Sequence, residues 1–108
     1  MEPKYSIIIP TFNEEKFLPL LLESAAQQTY KNFEVIVSDG PSKDKTIEVA
    51  KSFQKKLPHL TTVTSKRASL PHQRNNGAAA ARGAWYIFVD ADSVLLPYFL
   101  ERVDGFVE

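Results

Sequence analysis

Trp85-Tyr86-Ile87-Phe88-Val89-Asp90-Ala91-Asp92 is an apolar run that ends on two carboxylates. The run reads as a strand, and a strand that breaks into a turn at its end can bring both acids toward one ligand. Carboxylates so placed can hold a divalent metal against a diphosphate. The alternative is a solvated turn in which Asp92-Ser93 caps a helix starting near Pro97.

Three more runs have the same character: Tyr5 to Ile9, closed by Pro10; Phe33 to Val37, followed by Ser38 and Asp39-Gly40-Pro41; and Leu60 to Thr64. Their Ile and Val content, with little alternation, suits strands covered on both faces of a parallel sheet. Helical patterns lie between them. Phe17, Leu18, Leu21, Leu22 and Ala25 form one apolar stripe, with Asn13 as its cap and a regular part beginning close to Pro19. Ile47, Ala50, Phe53 and Leu57 form a second, entered through Ser42 with Asp44 in the first turn. Pro71 to Arg82 is alanine-rich and ended by Gly83, and Pro97 to Val107 carries Phe99, Leu100, Val103 and Phe106 on one face.

Strand and helix alternate strictly, which predicts an α/β fold: an open, mostly parallel sheet of four strands with right-handed crossovers and helices on both faces. At 108 residues the chain is expected to form a single domain, 1-108. Ligands bind such sheets beyond the carboxyl ends of the strands. There the sequence places Pro10-Thr11-Phe12-Asn13-Glu14, Ser38-Asp39-Gly40-Pro41-Ser42, Ser65-Lys66-Arg67 and Asp90-Ala91-Asp92.

Composition excludes several functions. Thirteen basic and thirteen acidic residues cancel, so no nucleic-acid partner is expected. The absence of cysteine removes thiolate zinc sites, disulfides and cysteine nucleophiles, and agrees with a reducing, cytoplasmic location. The first apolar stretch, interrupted at Pro10, is far shorter than a spanning helix of about 20 residues, so no transmembrane segment is expected. The first loop lacks the Gly-x-Gly-x-x-Gly of dinucleotide-binding folds, and no Gly-Lys-Ser/Thr P-loop occurs. A receiver-type phosphoacceptor fold leaves the second acidic pair unexplained. What remains is a fold that holds phosphate through metal.

Five ordered motifs resemble the family-2 glycosyltransferases and the donor-binding half of their GT-A fold. They are Ile7 to Glu14, Gln28 to Val37, Asp39 to Thr46, Arg74-Asn75-Asn76-Gly77 with Ala81-Arg82-Gly83, and Asp90-Ala91-Asp92. The resemblance implies an inverting, metal-dependent transfer of sugar from a nucleotide-diphosphate sugar, a UDP-sugar being favoured. It implies that Asp39 reads the nucleobase, against the alternative of a plain Asp-Gly turn. Pro10, Thr11, Phe12, Asn13 and Glu14 match the loop around base and ribose, although Asn13 as a helix cap and Phe12 as core packing are the simpler reading.

Asp90 matches the acid of the ribose and metal environment, and Asp92 the direct ligand of Mn²⁺ or Mg²⁺. Arg74 is the candidate stabiliser of the leaving group, the alternative being a solvent-facing arginine. Lys66, Arg67, His59 and His72 read as solvated. No catalytic base is assigned, because the tail acids Glu101, Asp104 and Glu108 match no catalytic position and the acceptor-binding half is expected to be missing. The alternative function is a non-catalytic nucleotide-sugar-binding module that needs a partner for turnover; a sugar-nucleotide pyrophosphorylase would want a Gly-rich first loop with a lysine. Trp85 to Val89 is expected to lie at a sheet edge and to favour homo-oligomers. A partner is the expected means of reaching the inner face of a membrane.

Overall fold

The computed structural model describes residues 2–107; Glu108, one of the tail acids above, lies outside them. Strands β1 (Tyr5–Thr11), β2 (Phe33–Asp39), β3 (Leu60–Thr64) and β4 (Trp85–Phe88) alternate with helices α1 (Leu18–Ala26), α2 (Thr46–Ser52), α3 (Leu70–Ala80) and α4 (Phe99–Phe106). The sheet is parallel throughout, in the order β3-β2-β1-β4. Register runs from Tyr5–Phe33 to Thr11–Asp39 between β1 and β2, and from Tyr5–Trp85 to Ile8–Phe88 between β1 and β4.

The two central strands are buried at every position, as unalternating Ile and Val require. Tyr5, Ile7, Ile9, Phe33, Val35 and Val37 face a core shared with Leu18, Leu21, Leu22 and Ala25 of α1, Ala50 of α2 and Leu100 of α4. Each fully buried Ile or Leu contributes about 2 kcal/mol. The opposite face carries α3, which packs across β1, β2 and β3. This division has a cause. Chain travel across the sheet reverses between β3 and β4, and crossovers of one hand then put the connecting helix on the other side. The approach of α3 is close: a Cβ at Gly77 would stand 2.5 Å from Ile8 Cγ2.

β1 runs through Pro10 rather than stopping before it. Ile8 O accepts from Val89 N, and alternate residues of a strand point the same way, so the missing Pro10 N–H falls on the β4 side beyond the last pair, Ile8–Phe88. β3 and β4 form the edges, with Trp85, Tyr86 and Phe88 of β4 half-exposed.

Helix boundaries correct the sequence reading in four places. Asn13 does not cap α1; it sits at φ 54° and its Oδ1 accepts from Lys43 N at 2.8 Å, while Phe17, exposed rather than in the stripe, occupies the cap position. Asp44 precedes α2 and accepts from Thr46 N at 2.9 Å. α2 ends at Ser52, so Phe53 and Leu57 pack from the turns beyond it. α4 starts at Phe99 without Asp92 or Ser93 as cap, and Phe106 turns to solvent instead of joining Phe99, Leu100 and Val103.

α4 is tied to the start of β1 by Asp104, whose Oδ1 accepts from Lys4 Nζ and Tyr5 Oη, each at 2.7 Å. Burial, and then the bond to Asp104, pushes the Tyr5 phenol up to about 12. The folded chain therefore keeps this proton over a window in which the unfolded chain, titrating near 10.0, has lost it. The stability it contributes is complete below that lower value and is lost as pH rises through the upper one. Unfolding midpoints followed across this alkaline window are expected to fall more steeply for the unmodified chain than for Tyr5→Phe. Parallel curves would contradict the assignment.

Candidate functional site

Order β3-β2-β1-β4 puts the topological switch point between β1 and β4, where the loops leaving two neighbouring strands diverge and open a crevice. A cleft of about 410 Å³ lies there. Pro10, Thr11, Phe12 and Glu14 form one wall, Asp90, Ala91 and Asp92 another, and Ala68, Leu70 and Gln73 at the start of α3 the third. The turn after β4, closed by Ser93 N donating to Asp90 O at 3.0 Å, turns both acids to the same opening. Phe12 is not core: it is 43% exposed and lines the cleft.

Asp39 is joined to this cleft through Thr11 of its lining. It is buried, and its Oδ1 accepts from Thr11 Oγ1 at 2.7 Å and Ser42 Oγ at 2.6 Å, with Oδ2 accepting from Ser42 N at 2.9 Å. A carboxylate has about four acceptor sites, so Oδ2 retains capacity for one further donor. Asn13 is a loop fastener. Besides holding Lys43 N it donates its own N–H to Ser42 Oγ at 2.8 Å, joining the loops after β1 and β2. Neither Asp39 nor Asn13 belongs to the cleft lining. Arg74, the fifth residue of α3, is exposed next to Gln73 and also outside that lining.

Electrostatics mark the acidic wall. Burial first, and then the charges of Asp92 and Asp44, hold the Glu14 carboxyl above its usual range. Anions crowded in this way favour a cation between them. Carboxylate oxygens are the donors that Mg²⁺ and Mn²⁺ prefer. Among the described residues no three His, Cys, Asp or Glu side chains gather closely enough to enclose an ion alone. The two aspartates of the turn are thus of the right chemistry for a hard divalent ion but too few to enclose one.

Several positioning residues escaped the sequence reading. Gln73 is buried, and its Nε2 donates to Thr11 O at 2.7 Å and Ser38 O at 3.2 Å. Gln28, fully buried, donates to Leu96 O at 2.7 Å and accepts from Leu100 N at 3.0 Å, which fixes the segment after Asp92 to the end of α1. Ser24 Oγ adds a bond from Leu95 N at 3.0 Å. At the opposite rim Glu34 Oε2 accepts from Ser6 Oγ and from Arg82 N, each at 2.6 Å, and so anchors the entry to β4. Lys66, Arg67, His59 and His72 are exposed, as expected.

The sequence model described as "Glycosyl transferase family 2" matches residues 6–107. The chain belongs to that family. A Methanococcus voltae relative, named dolichyl N-acetyl-alpha-D-glucosaminyl phosphate 3-beta-D-2,3-diacetamido-2,3-dideoxy-beta-D-glucuronosyltransferase, is 39% identical over 101 residues, covering 90% of this chain and 32% of its own. Among solved structures, S. aureus TarS 1-349 in complex with UDP-GlcNAc superposes with a TM-score of 0.91 at 32% identity, over 96% of this chain and 31% of that one. The mannosyltransferase PcManGT from Pyrobaculum calidifontis, in complex with GDP-Man and Mn²⁺, gives 0.83 at 25% identity, over 98% and 32%. The family-2 chain described here therefore has the GT-A architecture and spans about a third of the length of these relatives. No helix among the described residues is long and apolar enough to cross a membrane.

Proposed function

We propose that this chain is the nucleotide-diphospho-sugar-binding part of an inverting family-2 glycosyltransferase that works with Mn²⁺ or Mg²⁺. The observation that carries the proposal is the meeting of the Pro10–Glu14 loop and the Asp90–Asp92 turn in one cleft at the switch point. Phe12 offers a flat apolar surface for the base, and the spare acceptor capacity of Asp39 Oδ2 suits an imide N–H. The UDP and UDP-GlcNAc complexes of TarS, at TM-scores of 0.90 and 0.91, favour a uridine donor.

Asp92, with Asp90, would hold the ion, which supplies Lewis-acid stabilisation to a departing diphosphate. Glu14 stands at the same corner, its carboxyl raised by burial and then by the charge of Asp92, and a cation there would relieve that crowding. Breaking the anomeric bond adds negative charge to the diphosphate, and Arg74 is the cation offered to it. Opposite unit charges ~4 Å apart are worth on the order of 4 kcal/mol at an effective dielectric near 20. The general base has no candidate among residues 2–107. A cysteine-free chain supports a cytoplasmic setting, with a partner carrying it to the inner face of any membrane it serves.

Because the chain spans about a third of its relatives, a second reading has support: a binding module whose turnover needs another segment or subunit. Calorimetry with UDP, GDP and dTDP, with and without Mn²⁺, tests the common core of both readings. UDP is expected to bind and to bind more tightly with the ion; no heat with any nucleotide would end both. Sugar transfer by this chain alone would then exclude the second.

A further inference from the structure

We infer that Gln73 is the positioning residue that sets the cleft for nucleotide, an inference that rests on the function proposed above. Its side chain is 4% exposed and stands at the cleft wall. Both Nε2 protons are spent on main-chain carbonyls at the ends of β1 and β2, Thr11 O at 2.7 Å and Ser38 O at 3.2 Å. Oε1 accepts from Ser69 N, just before α3, at 3.1 Å. With two carbonyls on one end of the amide and an N–H on the other, its orientation is dictated by its partners. The link is returned in the other direction, since Ser38 Oγ donates to the main-chain carbonyl of Gln73 at 2.5 Å.

Packing alone does not call for an amide here. Four residues on, Gly77 seats the same face of α3 against Ile8, and the atoms nearest a Cβ there would be carbons of Ile8 and Ser38. What the amide adds is a fixed relation among three loops: the β1 loop with Thr11 and Phe12, the β2 end that leads to Asp39, and the α3 start with Leu70. Gly40 is fitted to it, because a Cβ there would stand 2.6 Å from Gln73 Oε1. Loops held in this way lose little freedom when ligand arrives, and preorganisation of this kind appears as affinity.

The test compares UDP binding, in the presence of Mn²⁺, by the unmodified protein, Gln73→Met, Gln73→Glu and Ser6→Ala, at a temperature where all are folded. Ser6→Ala removes buried hydrogen bonds at the far rim and controls for lost stability alone. Gln73→Met is expected to bind UDP about tenfold more weakly, and Ser6→Ala as the unmodified protein does. Gln73→Glu places an acceptor against two carbonyls, so it is expected to bind weakly near neutral pH. It should recover at least part of the loss toward pH ~5.5, where a protonated carboxyl can again donate to Thr11 O. Equal UDP affinity for Gln73→Met and the unmodified protein overturns this inference alone. Should the Met variant not fold, a Gln73→Glu affinity that tracks the unmodified protein at every pH overturns it equally. Failure of the unmodified protein to bind UDP overturns the proposed function and this inference with it.

Discussion

Asp92→Asn is expected to lose the Mn²⁺-dependent part of UDP affinity, ~100-fold or about 2.7 kcal/mol, while leaving metal-free binding nearly unchanged. The amide keeps the shape of the side chain and removes its charge, so the comparison isolates electrostatics. A unit charge facing a divalent ion at ~4 Å would be worth on the order of 8 kcal/mol at an effective dielectric near 20. Asp92 is exposed, and water screens it, which brings the expectation down to the smaller figure. The same variant removes one of the charges that hold the Glu14 carboxyl up, so that group should titrate closer to its usual range. UDP titrations with and without Mn²⁺ check the first expectation and carboxyl NMR the second. An equal loss in both titrations would mean that Asp92 shapes the cleft without holding an ion.

Glu34→Ala is expected to cause the largest loss of stability, about 3 kcal/mol. Glu34 is 2% exposed and accepts from a hydroxyl and a main-chain N–H, with Arg82 Nε at 3.5 Å. Hydrogen bonds to a charged acceptor contribute about 1.5 to 3 kcal/mol each, and truncation leaves their donors at a crowded helix–sheet junction. The guanidinium adds little, because the Arg82 side chain is 53% exposed and screened. For a chain of this size the loss corresponds to a fall in Tm of more than about 10 °C. Thermal unfolding followed by circular dichroism reads it directly, and a fall of a degree or two would show that water replaces the carboxylate without penalty.

Much of the architecture was legible because its signals are local. Unbroken Ile and Val runs gave away β1 and β2, and the polar clusters after the strands pointed to the rim where the cleft lies. Asn13 misled because an asparagine near a helix start reads as a cap, whereas here it adopts a left-handed turn and fastens the loop after β2. Phe12 and Phe106 misled because aromatic residues read as core, yet one lines the cleft and the other faces solvent. Gln28, Gln73 and Glu34 were beyond reach for a different reason. Their partners are mostly distant in sequence, from Glu34 to Ser6 and Arg82, from Gln73 to Thr11 and from Gln28 to Leu100, and no periodicity records such pairings. A polar residue on the buried side of a helix, as Gln73 stands one turn before Gly77, was the one available hint.

The most direct test of a metal-bridged nucleotide at the β1/β4 switch point is a crystal structure of this protein grown with UDP and Mn²⁺. Anomalous scattering from the ion is predicted between Asp92 and the diphosphate oxygens, with the uracil against Phe12 and within reach of Asp39. Nucleotide lodged elsewhere, or an ion that touches neither Asp90 nor Asp92, would contradict it.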